Sequence, residues 1–152
     1  MIIRKATQKD IDEIIEIEKG SFDWYDIFPK NLFQQYLKEY NDGFYVAVDQ
    51  SASITGYAIL AKKNHNGYVL SIAVHPKNRN KGVAVLLMKF LESKCKEKRF
   101  KKLTLEVRVD NRPAITVYRK LGFVEVGIKI GFYGDGTNAI IMEKNFKDVK
   151  PN

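Results

Sequence analysis

The stretch Leu105-Glu106-Val107-Arg108-Val109-Asp110-Asn111-Arg112-Pro113-Ala114-Ile115-Thr116-Val117-Tyr118-Arg119-Lys120-Leu121-Gly122-Phe123 decides the reading of this chain. Residues 102–107 alternate as a strand, Arg112–Lys120 has the spacing of a short helix, and Leu121-Gly122 supplies the C-cap that stops it. Glu106 stands between Leu105 and Val107. A strand there sets one carboxyl in a partly desolvated place, which suits a general base. A solvated strand glutamate fits the same pattern. Tyr118 falls one to two turns into the helix, where a hydroxyl serves either proton transfer or packing.

Upstream lies Val74-His75-Pro76-Lys77-Asn78-Arg79-Asn80-Lys81-Gly82-Val83-Ala84, joining a strand to a long helix. A helix start leaves N–H groups without intrahelical partners, and its dipole makes that end positive. Gly82 admits close backbone approach, while Arg79 and Lys81 add charge. Together they describe a pyrophosphate cradle. The spacing is neither that of a P-loop nor that of a GxGxxG turn. An ordinary basic loop before a helix also fits this segment alone.

Further out, the periodicities predict the order β-α-α-β-β-β-α-β-α-β-β. Residues 1–6 read as a strand, and Thr7 as an N-cap with Asp10 as its capping-box partner. Ile11, Ile14, Ile15 and Glu18 share a helix face. Residues 30–40 form a second helix, and 44–48, 54–62 and 68–74 are strands. Val83, Leu86, Leu87, Phe90 and Leu91 mark the long amphipathic helix. Residues 124–130 and 139–145 close the chain as a hairpin. The expected fold class is α+β: one domain over 1–152, with a mostly antiparallel twisted sheet of about seven strands flanked by about four helices on both faces, and a parallel β-α-β unit at 68–107.

The 152 residues are 45% apolar and 29% charged, with a net charge of +8. The positive sign suits a ligand carrying several phosphates as well as it suits nucleic acid, and the charges are scattered, so nucleic acid is the less favoured partner. No apolar run reaches membrane-span length, and no signal peptide is read, so no membrane partner and a cytoplasmic location are expected. Cys95 has no cysteine to pair with and lies at the edge of a helix stripe, as a structural thiol would. His65 and His75 lack metal-ligand spacing, so no metal is expected.

Taken in tandem, the two segments resemble the acetyl-CoA core of the GNAT N-acetyltransferases, and among them the RimI-like protein N-alpha-acetyltransferases. The resemblance runs from about Ile72 to Phe123 and resumes in Phe132-Tyr133 and Ala139–Met142. It implies the GNAT fold and acetyl-CoA as cosubstrate. It implies further that Ile72, Ala73 and Val74 bond the pantetheine arm like an added strand. The backbone of Asn80, Lys81, Gly82, Val83, Ala84 and Val85 would hold the pyrophosphate with Arg79 nearby, and Asn111 and Tyr118 would contact the cofactor. Glu106 falls where the family has its general base, and Tyr118 where it has the acid that protonates the leaving thiolate. Phe22 and Trp24 would fit the family's acceptor loop, and with Tyr25, Phe28 and Tyr133 could clamp the acceptor, although core packing suits some of these aromatics equally. Tyr68 packs in the sheet or, as a secondary candidate, orders a water. Two departures stand out: Ala84 replaces a common glycine, and Phe132 replaces the first of two tyrosines.

The implied acceptor is the N-terminal α-amine of a protein or peptide, with a ribosomal protein among the candidates. Attack needs a neutral amine. At pH 7 roughly a tenth of α-amines are neutral, against fewer than about one lysine in a thousand. Direct attack needs no covalent enzyme intermediate, and the Val74 N–H would face the oxyanion. A polyamine or lysine-side-chain acetyltransferase, and a non-catalytic basic binding module, remain as alternatives. The preferred N-terminal residue, the oligomeric state and any auxiliary subunit are not legible.

Overall fold

The computed structural model describes residues 1–21 and 27–146. Its strands are β1 (Ile2–Lys5), β2 (Phe44–Val48), β3 (Ile54–Lys63), β4 (Asn66–Val74), β5 (Lys102–Arg108), β6 (Val124–Lys129) and β7 (Ala139–Asn145). Its helices are α1 (Ile11–Ser21), α2 (Lys30–Glu39), α3 (Val83–Glu97) and α4 (Arg112–Lys120). The element order is the one predicted. The sheet runs β1-β2-β3-β4-β5-β7-β6, and its registered ladders are antiparallel except β4 with β5. That parallel ladder pairs Gly67 with Leu103 and Tyr68 with Thr104. No helix among the described residues is long and apolar enough to cross a membrane.

The chain folds as two compact units. The first comprises Met1–Ala61 and Leu70–Leu91. All five residues of β2 are buried, because helices cover both of its faces. Phe44, Val46 and Val48 join Ile11, Ile14 and Ile17 of α1 and Phe33 of α2 in one cluster. Tyr45 points the other way, its ring 4.8 Å from that of Phe90 on α3. Each such side chain contributes about 1.5–3 kcal/mol through lost apolar surface. Entry to α1 follows the expected cap: the Asp10 carboxylate accepts from the Thr7 N–H at 2.7 Å, although a 3-10 turn, Gln8–Asp10, precedes the helix. Arg4 grips the same carboxylate through both guanidinium nitrogens, at 2.7 and 2.9 Å.

The second unit comprises Lys62–Val69 and Glu92–Asn152. β5 alternates strictly: Leu103, Leu105 and Val107 are buried, and Lys102, Thr104, Glu106 and Arg108 take the opposite face. That period of two positions Glu106. β7 pairs with β5 and with β6, so Glu106, Ile141 and Gly127 form one row across three strands. The turn expected at Asn64–Gly67 is tighter than its composition suggested. Asn64 and His65 alone make it, at φ of 52° and 64°, the mirror-image geometry that matches strand twist. Asn66 and Gly67 therefore already belong to β4.

Candidate active site

The outward face of β5 floors a cleft of about 270 Å³ within the second unit, lined by Lys63, Tyr68, Thr104, Glu106, Lys129 and Ile141 among others. Glu106 enters it with only 6% of its side chain exposed. Desolvation was expected there; a counter-charge was not. The Lys129 ammonium donates to Glu106 Oε1 at 2.6 Å, so the carboxylate keeps a cationic partner. Lys129 stands two residues beyond Gly127, whose register partner Ile141 also pairs with Glu106. The Lys129 Nζ also lies 5.1 Å from the centre of the Phe132 ring. Tyr68 stands in the cleft with the Lys63 ammonium 4.9 Å from its ring centre.

Tyr118 is buried against Phe123, ring centres 6.0 Å apart. Burial pushes its hydroxyl up to about 12. It therefore stays protonated across the physiological range, as a proton donor must. Asn111 caps α4: its Oδ1 accepts from the Ala114 N–H at 3.3 Å, with Pro113 just inside the helix. Tyr133 sits in the turn between β6 and β7. Arg108 holds that turn, donating to Asp135 at 2.5 Å and to Thr137 at 2.9 Å, with its guanidinium 5.0 Å from the Tyr133 ring centre. The hydrogen bond from Arg108, joined by those from Thr137, keeps the Asp135 carboxyl well below the usual carboxylate range. Phe132 packs edge-on against Tyr133 at 5.0 Å.

In the first unit, Ile72, Ala73 and Val74 end β4, with Ala73 buried and its neighbours half-buried. Past them the His75 N–H bonds the Thr55 carbonyl at 2.8 Å. Asn80 and Gly82 adopt positive φ, 62° and 80°. A Cβ built on Gly82 would meet nothing within 4 Å, so the space beside this turn is open. Lys81 is exposed and Val83 buried. Ala84 and Val85 lie in the first turn of α3 with ordinary helical φ, which is why alanine is tolerated where glycine is common. Arg79 is turned to the end of α1, donating to the Gly20 carbonyl at 3.0 Å and the Ser21 hydroxyl at 3.1 Å. Phe28 belongs to the core, its ring 5.8 Å from Phe33 and 5.7 Å from Tyr36. Phe22, Trp24 and Tyr25 lie outside the described residues.

The profile of the acetyltransferase (GNAT) family matches residues 11–123. The chain belongs to the GNAT acetyltransferase family. It is 34% identical to an N-alpha-acetyltransferase of Saccharolobus solfataricus, over 93% of this chain and 91% of that one. The crystal structure of Ard1 from Thermoplasma volcanium superposes with a TM-score of 0.89 at 28% identity, covering 97% of this chain and 98% of the other. The ribosomal-protein-S18-alanine N-acetyltransferase of Escherichia coli shares the fold, with a TM-score of 0.85 at 24% identity over 99% and 97% of the two chains. The chain is accordingly an acetyl-CoA-dependent N-acetyltransferase.

In this acetyltransferase the candidate nucleophiles are engaged or inert. Cys95 is buried, and burial pushes its thiol up to about 12. The Ser71 hydroxyl is bonded to Tyr57 at 2.7 Å. Sequence reasoning missed Lys129, the anchoring role of Arg108, and a buried carboxylate, Glu18, whose side chain bonds Tyr57. Glu18 had a visible signal: it recurs on the apolar face of α1. Lys129 had none, since its contact depends on strand register.

Proposed function

We propose that this acetyltransferase modifies the N-terminal α-amine of a protein or peptide. The observation that carries the reading is the Glu106–Lys129 contact: the cleft already holds a cationic amine against a nearly dry carboxylate. An acceptor ammonium has the same charge and donors. The similarity to an N-alpha-acetyltransferase over 93% of the chain supports the choice of amine.

In this reading the Ile72–Val74 backbone receives the pantetheine arm, and Asn80–Val85 with Lys81 receives the pyrophosphate at the α3 N-terminus. Gly82, with its positive φ and open flank, fits that role. Glu106 takes a proton from the acceptor ammonium, directly or through a water ordered at Tyr68. The neutral nitrogen attacks the thioester carbonyl carbon to give a tetrahedral oxyanion. The N–C bond forms, the C–S bond breaks, Tyr118 gives its proton to the departing thiolate, and the second proton of the nitrogen leaves through water, which restores the Tyr118 hydroxyl. Tyr133, held by Arg108, borders the acceptor.

The test offers two peptides of one sequence containing lysine, one with a free N-terminus and one N-blocked. Acetylation of the free peptide alone is expected. Acetylation of the blocked peptide alone overturns the choice of amine in favour of a lysine or polyamine acceptor. Salt-sensitive DNA binding without transfer to any amine would leave a binding module.

A further inference from the structure

The amine that rests on Glu106 belongs to the chain itself. Lys129 Nζ lies 2.6 Å from Oε1, with Phe132 on another side and 38% of the lysine side chain exposed. Other lysine–carboxylate pairs sit differently. Lys5–Asp42 is exposed at both ends, and Lys144–Glu92, at 3.0 Å with a mostly buried carboxylate, is outside the cleft lining. Lys102–Glu143 also lines the cleft, but more loosely, at 3.4 Å with 20% of the carboxylate side chain exposed; Lys129 holds its amine tight against the drier carboxylate, Glu106.

We propose that Lys129 is an intramolecular acceptor, acetylated on Nζ by its own active site. This inference rests on the proposed role of Glu106. An ordinary lysine is neutral in roughly one molecule in a few thousand at pH 7. Tethering works against that deficit, because effective molarities of well-oriented intramolecular reactions reach ~10⁵–10⁸ M. The step balances with acetyl-CoA as the second reactant. Glu106 removes one proton from the ammonium, and the Nζ lone pair forms the N–C bond at the thioester carbonyl. The C–S bond then breaks, and the thiolate is protonated to free CoA. The product amide carries no charge, so the ion pair with Glu106 is lost. A bound acceptor ammonium competes for the same carboxylate and protects Lys129.

The experiment incubates the full-length protein with acetyl-CoA over a range of protein concentrations. Peptide mass spectrometry then reads occupancy at Lys129, Lys144 and Lys102. Wild type, Glu106→Gln and Lys129→Arg are compared, with and without a saturating free-N-terminus peptide. First-order modification of Lys129 is expected, independent of protein concentration and at least about tenfold faster than at Lys144. It should be slowed by the peptide and about as strongly by E106Q. In K129R the label should vanish without moving to neighbouring lysines. An unmodified Lys129 in a sample that acetylates the peptide overturns the inference and leaves the proposed function standing. Absence of both reactions removes the proposed function as well. Equal acetylation of exposed lysines, unchanged by E106Q or by the peptide, marks chemical acetylation and overturns the inference.

Discussion

The Tyr57 hydroxyl donates to the Glu18 carboxylate inside the first unit, where both residues are almost wholly buried. Tyr57 also shares a 2.7 Å hydrogen bond with Ser71 on β4, and Glu18 Oε2 accepts from the Phe28 N–H at 3.3 Å. A carboxyl group thus links α1, the sheet and the chain leading into α2, in a place that strips it of water.

Burial pushes the Glu18 carboxyl up to about 7, from an ordinary value near 4.5. Between those values the folded chain holds a proton that the unfolded chain has released. Stability from this group is therefore fully present below about pH 4.5 and is lost as pH rises through about 7. The shift corresponds to roughly 3 kcal/mol at most. Urea unfolding at pH 5 and pH 8 should show wild type losing part of that amount, and Glu18→Gln losing much less. A Gln variant with the same pH dependence as wild type would refute this account.

Glu106→Gln removes the proposed base without removing volume. The expected result is a fall in kcat of about 10²–10³-fold, with acetyl-CoA affinity nearly unchanged. Single-turnover kinetics isolates the chemical step. An unaltered single-turnover rate would rule Glu106 out as the base.

Tyr118→Phe keeps the ring that packs on Phe123 and deletes the hydroxyl proposed to donate the proton. Since the hydroxyl is pushed up to about 12, it does not titrate in the working range. The variant should lower kcat by about 10- to 100-fold at every pH from 6 to 9, without changing the profile's shape. Thermal unfolding should move little.

Arg108→Met should act on the acceptor and spare the donor. The guanidinium ties β5 to Asp135 and Thr137 and stacks on Tyr133. Loosening that turn should raise the acceptor KM by roughly five- to tenfold, about 1–1.4 kcal/mol, and leave the acetyl-CoA KM within about twofold. Steady-state kinetics with each substrate varied in turn separates the two.

Gly82→Ala meets no steric obstacle, since nothing lies within 4 Å of the new Cβ. Its φ of 80° is nonetheless costly for alanine, so stability should fall by about 1 kcal/mol in urea titration. Acetyl-CoA affinity, read by calorimetry, should fall with it if the turn holds the pyrophosphate.

Much of this protein is legible in its sequence. Period-two burial along β5 places Glu106 on one face and Leu105 and Val107 on the other, and period 3.6 yields the helices to within a residue or two. Caps at Asp10 and Gly122 are local chemistry that a sequence displays directly, whereas the Asn111 cap of α4 emerged from the structure. The family follows from the tandem motifs, because residue types at fixed offsets carry the cosubstrate-binding chemistry. Tertiary structure alone decided what each charge touches. Lys129 meets Glu106 because the register of three strands puts Lys129 in the row of Ala139 and Arg108, next to the row of Ile141 and Glu106. Glu18 meets Tyr57 because α1 packs on β3. Periodicity reports which face a residue takes. Its partner across that face depends on register and packing between segments 23 or 39 residues apart, and no local pattern carries that information.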